Sequence, residues 1–410
     1  MKNKAILLGI MGCALLVGSG WAADTENIVY NFSGGNDGGN PATRLIFDRA
    51  GNIYGTTAGG GAHDCGTVFE LTPIGGGHWQ ESVLHSFNCS DEGNSPYGGV
   101  VADAQGNLYG TTFTGGSGGI CSGDGCGVVF KLTYSGGAWS ETVLYSFHDS
   151  PDVRWPDSAV ALDAAGNVYG TAASGAYGFG GVYQVSQHGD QWIETVIHNF
   201  TGGDDGAFGS SGAPFIDSVG SVYGVTEGGG LFGSGTVYEL SSGPGETWIF
   251  HTLYAFGAYP DGANPLGGLV RDAQGNLYST TSYGGTSGAG TVFKLRPGSH
   301  IGSWKETTLY DFEDARDGGH SSSTLIFDPA GDLYGTTSTG GDGQCECGVA
   351  FELSPTGGGG WIETVLHVFT GSLDGGFPYY GLTADGAGNY FGAAVQGGTQ
   401  GQGIVYELTP

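Results

Sequence analysis

Hydrophobic and polar residues alternate over short segments of this chain, with the period of two that is typical of β-strands. Near the beginning these segments are Arg44–Asp48, Ile53–Thr57, Thr67–Thr72 and Trp79–Phe87. Each is rich in β-branched and aromatic residues, and the stretches between them contain the glycine, proline and aspartate that are usual in turns. No stretch shows the 3.6-residue period of an amphipathic helix, so the pattern predicts an all-β fold.

The same four segments recur along the chain, and the second one carries the clearest signature. The sequence "DRAGNIYGTT" (Asp48–Thr57) has seven copies, and the aromatic residue of each copy follows the previous one by 54 to 60 residues. These aromatic residues are Tyr54, Tyr109, Tyr169, Tyr223, Tyr278, Tyr334 and Phe391. Four antiparallel strands at such a period are typical of a β-propeller blade, so seven copies predict seven blades. The copies lie between strands without a following helix or lysine, which argues against a phosphate-binding loop.

The two ends of the repeat region predict how the ring closes. "IVYNF" (Ile28–Phe32) matches the end of a fourth strand, although it precedes every first strand. "IVYELTP" (Ile404–Pro410) matches a third strand and has no fourth strand after it. Pairing the two completes the last blade and removes two exposed strand edges. We therefore expect a seven-bladed β-propeller with four antiparallel strands per blade, closed by the N-terminal strand.

Residues 1–23 have the pattern of a secretory signal peptide. Two lysines precede the apolar run Ala5–Val17, and small residues end at Ala22 and Ala23. The run is shorter than the roughly 20 residues of a membrane-spanning helix. A lipid-attachment site at Cys13 is disfavoured because apolar residues follow it. We expect residues 24–410 to form a single propeller domain, monomeric, secreted or periplasmic, and not inserted in a membrane after signal removal.

Composition and charge narrow the classes of partner. The chain contains 86 glycines without a Gly-X-Y period, which indicates many tight turns rather than collagen. Its 12% aromatic content argues against disorder. The formal charge of −29 repels nucleic acid and anionic membrane surfaces, so we expect no nucleic-acid partner.

The repeat unit resembles a known family. Segments such as "GNLYGTT…GG…GTVFKL" and "LYSF…DG.NP..GL" are similar to the GloVer tandem repeat, the Gloeobacter/Verrucomicrobia type of exported bacterial proteins. The resemblance runs from Ile28 to Pro410. It implies export and a propeller-like repeat domain, and it transfers no catalytic residue.

Six cysteines remain after the signal peptide, and an even number in an exported chain favours disulfides. They are Cys65, Cys89, Cys121, Cys126, Cys345 and Cys347. Cys65 and Cys89 are expected to be neighbours, and Cys121 and Cys126 would tie one loop. Cys345 and Cys347 share a loop, although a bridge across one residue lies near the limit of disulfide geometry. Zinc is the alternative, disfavoured because the three sites lie on different blades without a CxxC pair.

Two loops of every unit lie on one face of the propeller, which we call the loop-rich face; the opposite turn face carries only hairpin turns. A rigid ring with long loops on one side usually binds ligands there. This face has a recurring acidic loop, with Asp37, Asp91, Asp205, Asp261, Asp317 and Asp374. These carboxylates could hold Ca²⁺ or orient a polyhydroxylated ligand. The favoured interpretation is turn chemistry, in which each carboxylate caps local amides.

Departures from the repeat give further candidates on the same face. They are Arg154, Trp155 and Tyr177 in blade three, and Phe377, Tyr379 and Tyr380 in blade seven. Aromatic rings beside carboxylates suit the stacking of sugars. The alternative is that these rings pack between neighbouring loops.

The fourth strand carries one more recurring acid, two residues after a tryptophan. These residues are Glu81, Glu141, Glu194, Glu306 and Glu363, and we expect them to be solvated or paired within a blade. His85, His198 and His367 share one repeat position with Tyr145, Tyr254 and Tyr310, which indicates packing. No Ser-His-Asp order, HExxH motif or P-loop lysine occurs.

Two hypotheses for function follow. The first is a secreted binding or scaffold module that recognises extracellular glycan or protein through the loop-rich face, without a cofactor other than Ca²⁺. The alternative is a polysaccharide-active lyase or glycoside hydrolase. The sequence favours the first, because no acid/base pair contributed by non-repeating residues is apparent at the central funnel.

Overall fold

The computed structural model describes residues 25–119, 121–209, 212–245, 247–257, 259–299, 303–341 and 345–409. The predicted signal peptide lies outside these residues. The strands form seven antiparallel sheets of four strands each, arranged as a seven-bladed β-propeller. The predicted fold class is confirmed.

The N-terminal strand β1 (Thr25–Asn31) comes first along the chain and belongs to the last blade. Blade one contains β2 (Ile46–Phe47), β3 (Ile53–Thr57), β4 (Thr67–Gly75) and β5 (His78–Ser86). Blade two contains β6 (Val100–Ala102), β7 (Leu108–Thr112), β8 (Val128–Ser135) and β9 (Ala138–Ser146). Blade three contains β10 (Ala161–Leu162), β11 (Val168–Ala172), β12 (Gly181–His188) and β13 (Gln191–Asn199).

Blade four contains β15 (Phe215–Ile216), β16 (Val222–Gly228), β17 (Thr236–Ser242) and β18 (Trp248–Ala255), with the loop strand β14 (Ala207–Gly209) paired to β16. Blade five contains β20 (Val270–Arg271), β21 (Leu277–Thr281), β23 (Thr291–Pro297) and β24 (Trp304–Asp311); its loops pair as β19 (Gly262–Ala263) and β22 (Tyr283–Gly284). Blade six contains β25 (Ile326–Phe327), β26 (Leu333–Thr336), β27 (Val349–Pro355) and β28 (Trp361–Val368). Blade seven contains β29 (Leu382–Ala384), β30 (Tyr390–Ala394) and β31 (Ile404–Thr409).

The ring closes as predicted. β1 pairs antiparallel with β31, in register from Thr25 opposite Thr409 to Asn31 opposite Ile404, with one bulge. The sheet order β1-β31-β30-β29 makes the N-terminal strand the outer strand of blade seven. The pairing of β1 with β31 therefore closes the ring.

The hairpin signature is explained by one aspartate. Asp48 accepts hydrogen bonds from the backbone N–H of Ala50 at 2.8 Å and of Asn52 at 2.9 Å. The Asn52 amide and the Tyr54 hydroxyl also donate to it, at 2.8 and 3.1 Å. Burial opposes ionisation of Asp48, but these hydrogen bonds outweigh it and lower the pKa of its carboxyl. The motif therefore encodes a capped turn, as the sequence predicted.

The core lies between adjacent blades. A buried phenylalanine directly after each outer strand contacts an aromatic ring on the third strand of the next blade. The pairs are Phe32–Phe69, Phe87–Phe130, Phe147–Tyr183, Phe200–Tyr238, Phe256–Phe293, Phe312–Phe351 and Phe369–Tyr406, with ring centroids 4.9 to 5.5 Å apart. Such edge-to-face pairs add about 0.5–1.5 kcal/mol each beyond area burial. The glycine of the repeat signature makes room for these rings, since a Cβ on Gly55 would lie 2.6 Å from Phe69.

Three disulfides connect the six predicted cysteines. Cys65 pairs with Cys89, Cys121 with Cys126, and Cys345 with Cys347, at Cα–Cα distances of 5.4, 5.1 and 5.1 Å. The disulfide prediction is confirmed, including the bridge across a single residue. Among the residues that the structure describes, no helix has the length and apolar character needed to cross a bilayer.

Candidate functional site

The acidic loop is built around one carboxylate that follows the buried phenylalanine by five residues. Asp37 accepts hydrogen bonds from the Ser33 N–H at 2.9 Å and from the Tyr30 hydroxyl at 3.1 Å. The equivalent residues are Asp37, Glu92, Asp152, Asp205, Asp261, Asp317 and Asp374. The contacts of the six aspartates agree with the interpretation of these acids as turn caps.

The predicted loop acids of blades four to seven make the same contacts. The backbone N–H groups of Thr201, Gly257, Glu313 and Thr370 donate to Asp205, Asp261, Asp317 and Asp374 at 3.0, 2.7, 2.9 and 2.9 Å. Asp91 is different, because it lies one residue before the repeat position and accepts a hydrogen bond from Asn88 at 2.9 Å. Glu92 occupies the repeat position instead, and the sequence pattern had not singled it out.

The outer-strand glutamates lie between blades rather than paired within one, which corrects the sequence-based expectation for all but Glu306, whose carboxylate also accepts a hydrogen bond from Thr308 of its own strand at 3.1 Å. Each lies at the junction between two blades, beside the loop carboxylate that precedes its own blade. Burial raises the pKa of Glu81 to about 7, and the nearby charge of Asp37 raises it further. Glu363 lies near Asp317, and its pKa rises to about 8 for the same two reasons. Glu26 of β1 occupies the equivalent position beside Asp374.

The third residue after each loop carboxylate adopts a left-handed backbone conformation. These residues are Asn40, Ser95, Trp155, Phe208, Asn264, His320 and Phe377, with φ between 52° and 60°. Their N–H groups donate to carbonyl oxygens of the preceding blade, as from Trp155 to Cys126 at 2.9 Å and from Phe377 to Cys347 at 2.8 Å. Asparagine tolerates this conformation, whereas bulky residues rarely adopt it. Tryptophan and phenylalanine are therefore unusual at this position of the repeat.

In blade three, the predicted residues Arg154 and Trp155 form part of an aromatic cluster. The Arg154 guanidinium lies 5.2 Å from the Trp155 ring. Trp155 stacks on Phe113 with centroids 6.5 Å apart, and Phe113 contacts Tyr97 edge-to-face at 5.7 Å. The sequence had not identified Tyr97 and Phe113, which come from the loops of blade two.

Two more aromatic groups lie on the loop-rich face. Phe179 and Phe208 are 6.0 Å apart, next to Tyr177, which is 63% exposed. In blade seven, Phe377 stacks on Tyr379 at 6.2 Å, and Tyr379 contacts Tyr380 at 6.4 Å. The predicted residues of blades three and seven therefore pack with neighbouring rings and also expose aromatic surface.

The exposed aromatic residues are distributed very unevenly. Nine tyrosines and phenylalanines within the described ranges are exposed, and eight of them lie in loops of the loop-rich face. These eight are Tyr97, Tyr177, Phe179, Phe208, Phe232, Tyr259, Tyr283 and Tyr379. The ninth, Tyr134, lies at a hairpin turn on the turn face. Exposed rings concentrated on one face are typical of a binding surface.

The centre of the loop-rich face contains a funnel, and the half-buried Asp157 lies near two residues of its lining, Glu227 and Tyr380. A cavity of about 360 Å³ there is lined by residues of four blades, among them Glu227, His320 and Tyr380. Burial raises the pKa of Asp157 to about 7, and the nearby charge of Glu227 contributes. One Asp157 oxygen is buried without a hydrogen-bond partner within the described part of the chain. The pKa of the Tyr380 phenol is raised by burial, with contributions from Tyr97 and Asp157.

A larger groove of about 1070 Å³ lies on the turn face, between the hairpins of blades two and three. Its acids are committed to the turns, since Asp103 and Asp163 accept hydrogen bonds from Asn107 and Asn167. The groove is also lined by the polar side chains of Gln105, Lys131 and Gln187, but none of the exposed aromatic residues of the loop-rich face lies there. The funnel, with an unpartnered carboxyl oxygen and exposed rings around it, is the better candidate site.

Fold and repeat define this chain as a seven-bladed propeller of tandem-repeat type. The sequence model of the Gloeobacter/Verrucomicrobia repeat matches residues 20–123, 119–305 and 210–410. The chain therefore belongs to the Gloeobacter/Verrucomicrobia repeat family, as its resemblance indicated. No curated protein sequence matches it.

Solved structures with similar folds include several enzymes. A fungal alcohol oxidase of the AA5 family, in complex with copper, superposes with a TM-score of 0.57 at 14% identity, covering 95% of this chain and 76% of that one. An ancestral GH74 enzyme gives 0.51 at 10% identity, covering 90% of this chain and 51% of that one. A 6-phosphogluconolactonase-like protein of Bacteroides uniformis superposes with a TM-score of 0.49 at 14% identity, covering 80% of this chain and 84% of that one. The chain thus spans about half of the GH74 enzyme, and these identities show the shared fold alone.

Proposed function

We propose that this protein is an exported glycan-binding module that holds its ligand over the funnel of the loop-rich face. The observation that carries the proposal is the concentration of aromatic residues on that face, where eight rings are exposed and the half-buried Trp155 and Phe377 stack on neighbouring rings. Three disulfides suit an oxidising compartment outside the cytoplasm.

The chemistry of the face favours sugars among polar ligands. Aromatic rings stack on the C–H faces of pyranose rings, and Trp155, Phe208 and Phe377 are held for this purpose by a strained backbone. The Asp157 carboxyl and the Tyr380 phenol provide hydrogen-bonding groups for sugar hydroxyls. The formal charge of −29 disfavours a polyanionic glycan, so the ligand class is a neutral polysaccharide.

The test uses substitutions that the repeat itself contains. Asparagine occupies the left-handed position in blades one and five, as Asn40 and Asn264. The double variant Trp155→Asn/Phe377→Asn should therefore fold while losing both rings. On an array of neutral oligosaccharides, we expect the wild type to bind and the double variant to lose most of its signal. Tyr134→Ala, which removes an exposed ring from the turn face, is the matched control and should bind normally.

A second candidate function has one specific observation in its favour. Asp157 holds its proton near neutral pH beside the second acid Glu227, and such a pair is what acid/base hydrolysis of a glycoside requires. Incubation with the polysaccharides that bind, followed by assay of new reducing ends, tests this function. If Asp157→Asn forms no product but still binds the polysaccharide, the protein is an enzyme. If the wild type forms no product, the second candidate function is rejected and the binding function remains.

A further inference from the structure

One interblade junction differs from the others in a way that creates a metal-binding geometry. Each junction combines a tyrosine or histidine of one outer strand, the loop carboxylate, and the residue of the next outer strand that lies six positions before its buried phenylalanine. The seven sets are Tyr30–Asp37–Glu81, His85–Glu92–Glu141, Tyr145–Asp152–Glu194, His198–Asp205–Phe250, Tyr254–Asp261–Glu306, Tyr310–Asp317–Glu363 and His367–Asp374–Glu26. Only the second set combines histidine with two glutamates.

The ligand atoms of that set converge. A ring nitrogen of His85 and one carboxylate oxygen each of Glu92 and Glu141 lie within 4.8 Å of one another. The distance between His85 Nε2 and Glu92 Oε2 is 3.6 Å, which is too long for a hydrogen bond. A tetrahedral ion with bonds of roughly 2.0–2.1 Å places its ligand atoms about 3.4 Å apart. The distance between His85 Nε2 and Glu92 Oε2 is therefore close to the distance expected between two atoms that bind the same cation.

Two of these atoms are buried and lack any other partner. His85 Nε2 and Glu141 Oε1 are both shielded from solvent, and neither has a hydrogen-bond partner among the residues that the structure describes. At the equivalent junction of blade three, His198 Nε2 lies 3.0 Å from Asp205 and satisfies it directly. Unpaired atoms alone do not single out this set, because His367 Nε2 and Glu26 Oε1 are also buried without a hydrogen-bond partner in the described structure. In the second set the unpaired atoms also converge within 4.8 Å, and since buried polar atoms are nearly always paired, they point to an absent ligand.

A change in the loop explains why Glu92 is available. At the other junctions an aspartate caps the loop amides, as Asp37 does for Ser33. Here the Asn88 side chain takes that role, accepting hydrogen bonds from the N–H groups of Ser90 at 2.9 Å and of Glu92 at 3.3 Å. The longer Glu92 side chain is thereby released from capping and turns towards His85.

We propose that His85, Glu92 and Glu141 bind one divalent transition-metal ion of the Zn²⁺ type, which links the outer strands of blades one and two. One imidazole nitrogen and two carboxylate oxygens suit zinc, whereas Ca²⁺ and Mg²⁺ prefer oxygen ligands alone. Two carboxylates balance the charge of the ion.

The test compares variants that copy other junctions of the same ring. The variant His85→Tyr/Glu92→Asp gives this junction the residues found at Tyr30 and Asp37, so the fold is preserved. His198→Tyr is the matched control, because it changes a junction histidine whose Nε2 is already satisfied by Asp205 at 3.0 Å. Both are prepared without an affinity tag, stripped with a chelator, and titrated calorimetrically with Zn²⁺, and with Co²⁺ as a spectroscopic probe.

We expect the wild type to bind one ion per chain, with a visible Co²⁺ absorption band that Zn²⁺ abolishes. The double variant should bind at least about tenfold more weakly, and His198→Tyr should match the wild type. Zn²⁺ should also raise the melting temperature of the wild type and not that of the double variant. Absence of binding in the wild type, or undiminished binding in the double variant, overturns the proposal.

Discussion

Replacing Glu363 by glutamine should stabilise the protein at high pH and leave it unchanged at low pH. Glu363 projects from β28 into the junction beside Asp317, and its Oε1 atom has no hydrogen-bond partner in the described structure. Burial is the main cause that raises the pKa of this carboxyl, and the Asp317 charge is the second. Ionising Glu363 therefore places a second negative charge in a partly buried junction. Glutamine has the same shape as glutamate without the charge.

The direction in which stability changes with pH follows from proton linkage. The folded protein holds the Glu363 proton up to about pH 8, whereas the unfolded chain releases it near 4.5. Between those values the folded state binds more protons, so stability falls as the pH rises. The corresponding free energy reaches at most about 4 kcal/mol at pH 8. We expect Glu363→Gln to be more stable than the wild type by at least about 1 kcal/mol at pH 8, and equally stable at pH 5.

Urea unfolding followed by tryptophan fluorescence measures this difference at both pH values. Glu313→Gln is the matched control, because its side chain is exposed in the neighbouring loop and its removal should shift neither midpoint. A Glu363→Gln variant that is less stable than the wild type at pH 8, or a difference that does not vary with pH, would refute the reasoning.

Three further predictions concern the ring. Deleting residues 24–33 removes the outer strand of blade seven and should lower the melting temperature strongly; an unchanged melt would contradict the closure. Replacing Cys65 and Cys89 by serine opens a loop of 24 residues and should cost about 3 kcal/mol in urea unfolding, without effect under reducing conditions. Gly55→Ala places a Cβ 2.6 Å from a buried phenylalanine ring and should cost about 1–3 kcal/mol, whereas Gly358→Ala, in an open turn, should melt like the wild type.

The fold was predictable because its determinants are local and repeated. The Asp48 turn uses residues within six positions of one another, and its seven copies fix the strand order. Ring closure followed from an unmatched strand at each end. Cys65 and Cys89 could be placed because adjacent strands of one hairpin bring them together.

The candidate site was only partly predictable because it depends on contacts between blades. Trp155 and Phe377 were found as departures from the repeat, but the stacking of Trp155 on Phe113 joins two blades. Asp157 and Glu227 come from different units, and only the ring geometry brings them to one funnel. Glu92 was missed because an adjacent aspartate matched the acidic pattern of the loop more closely.

The central claim is that the aromatic residues of the loop-rich face bind glycan. Calorimetric titration of the strongest-binding neutral oligosaccharide into the wild type, Trp155→Asn/Phe377→Asn and Tyr134→Ala tests it most directly. Two lost stacking contacts of about 1 kcal/mol each predict an affinity roughly 30-fold lower for the double variant, with Tyr134→Ala unchanged. Equal affinities for all three proteins, or no binding of any sugar to the wild type, would contradict the claim.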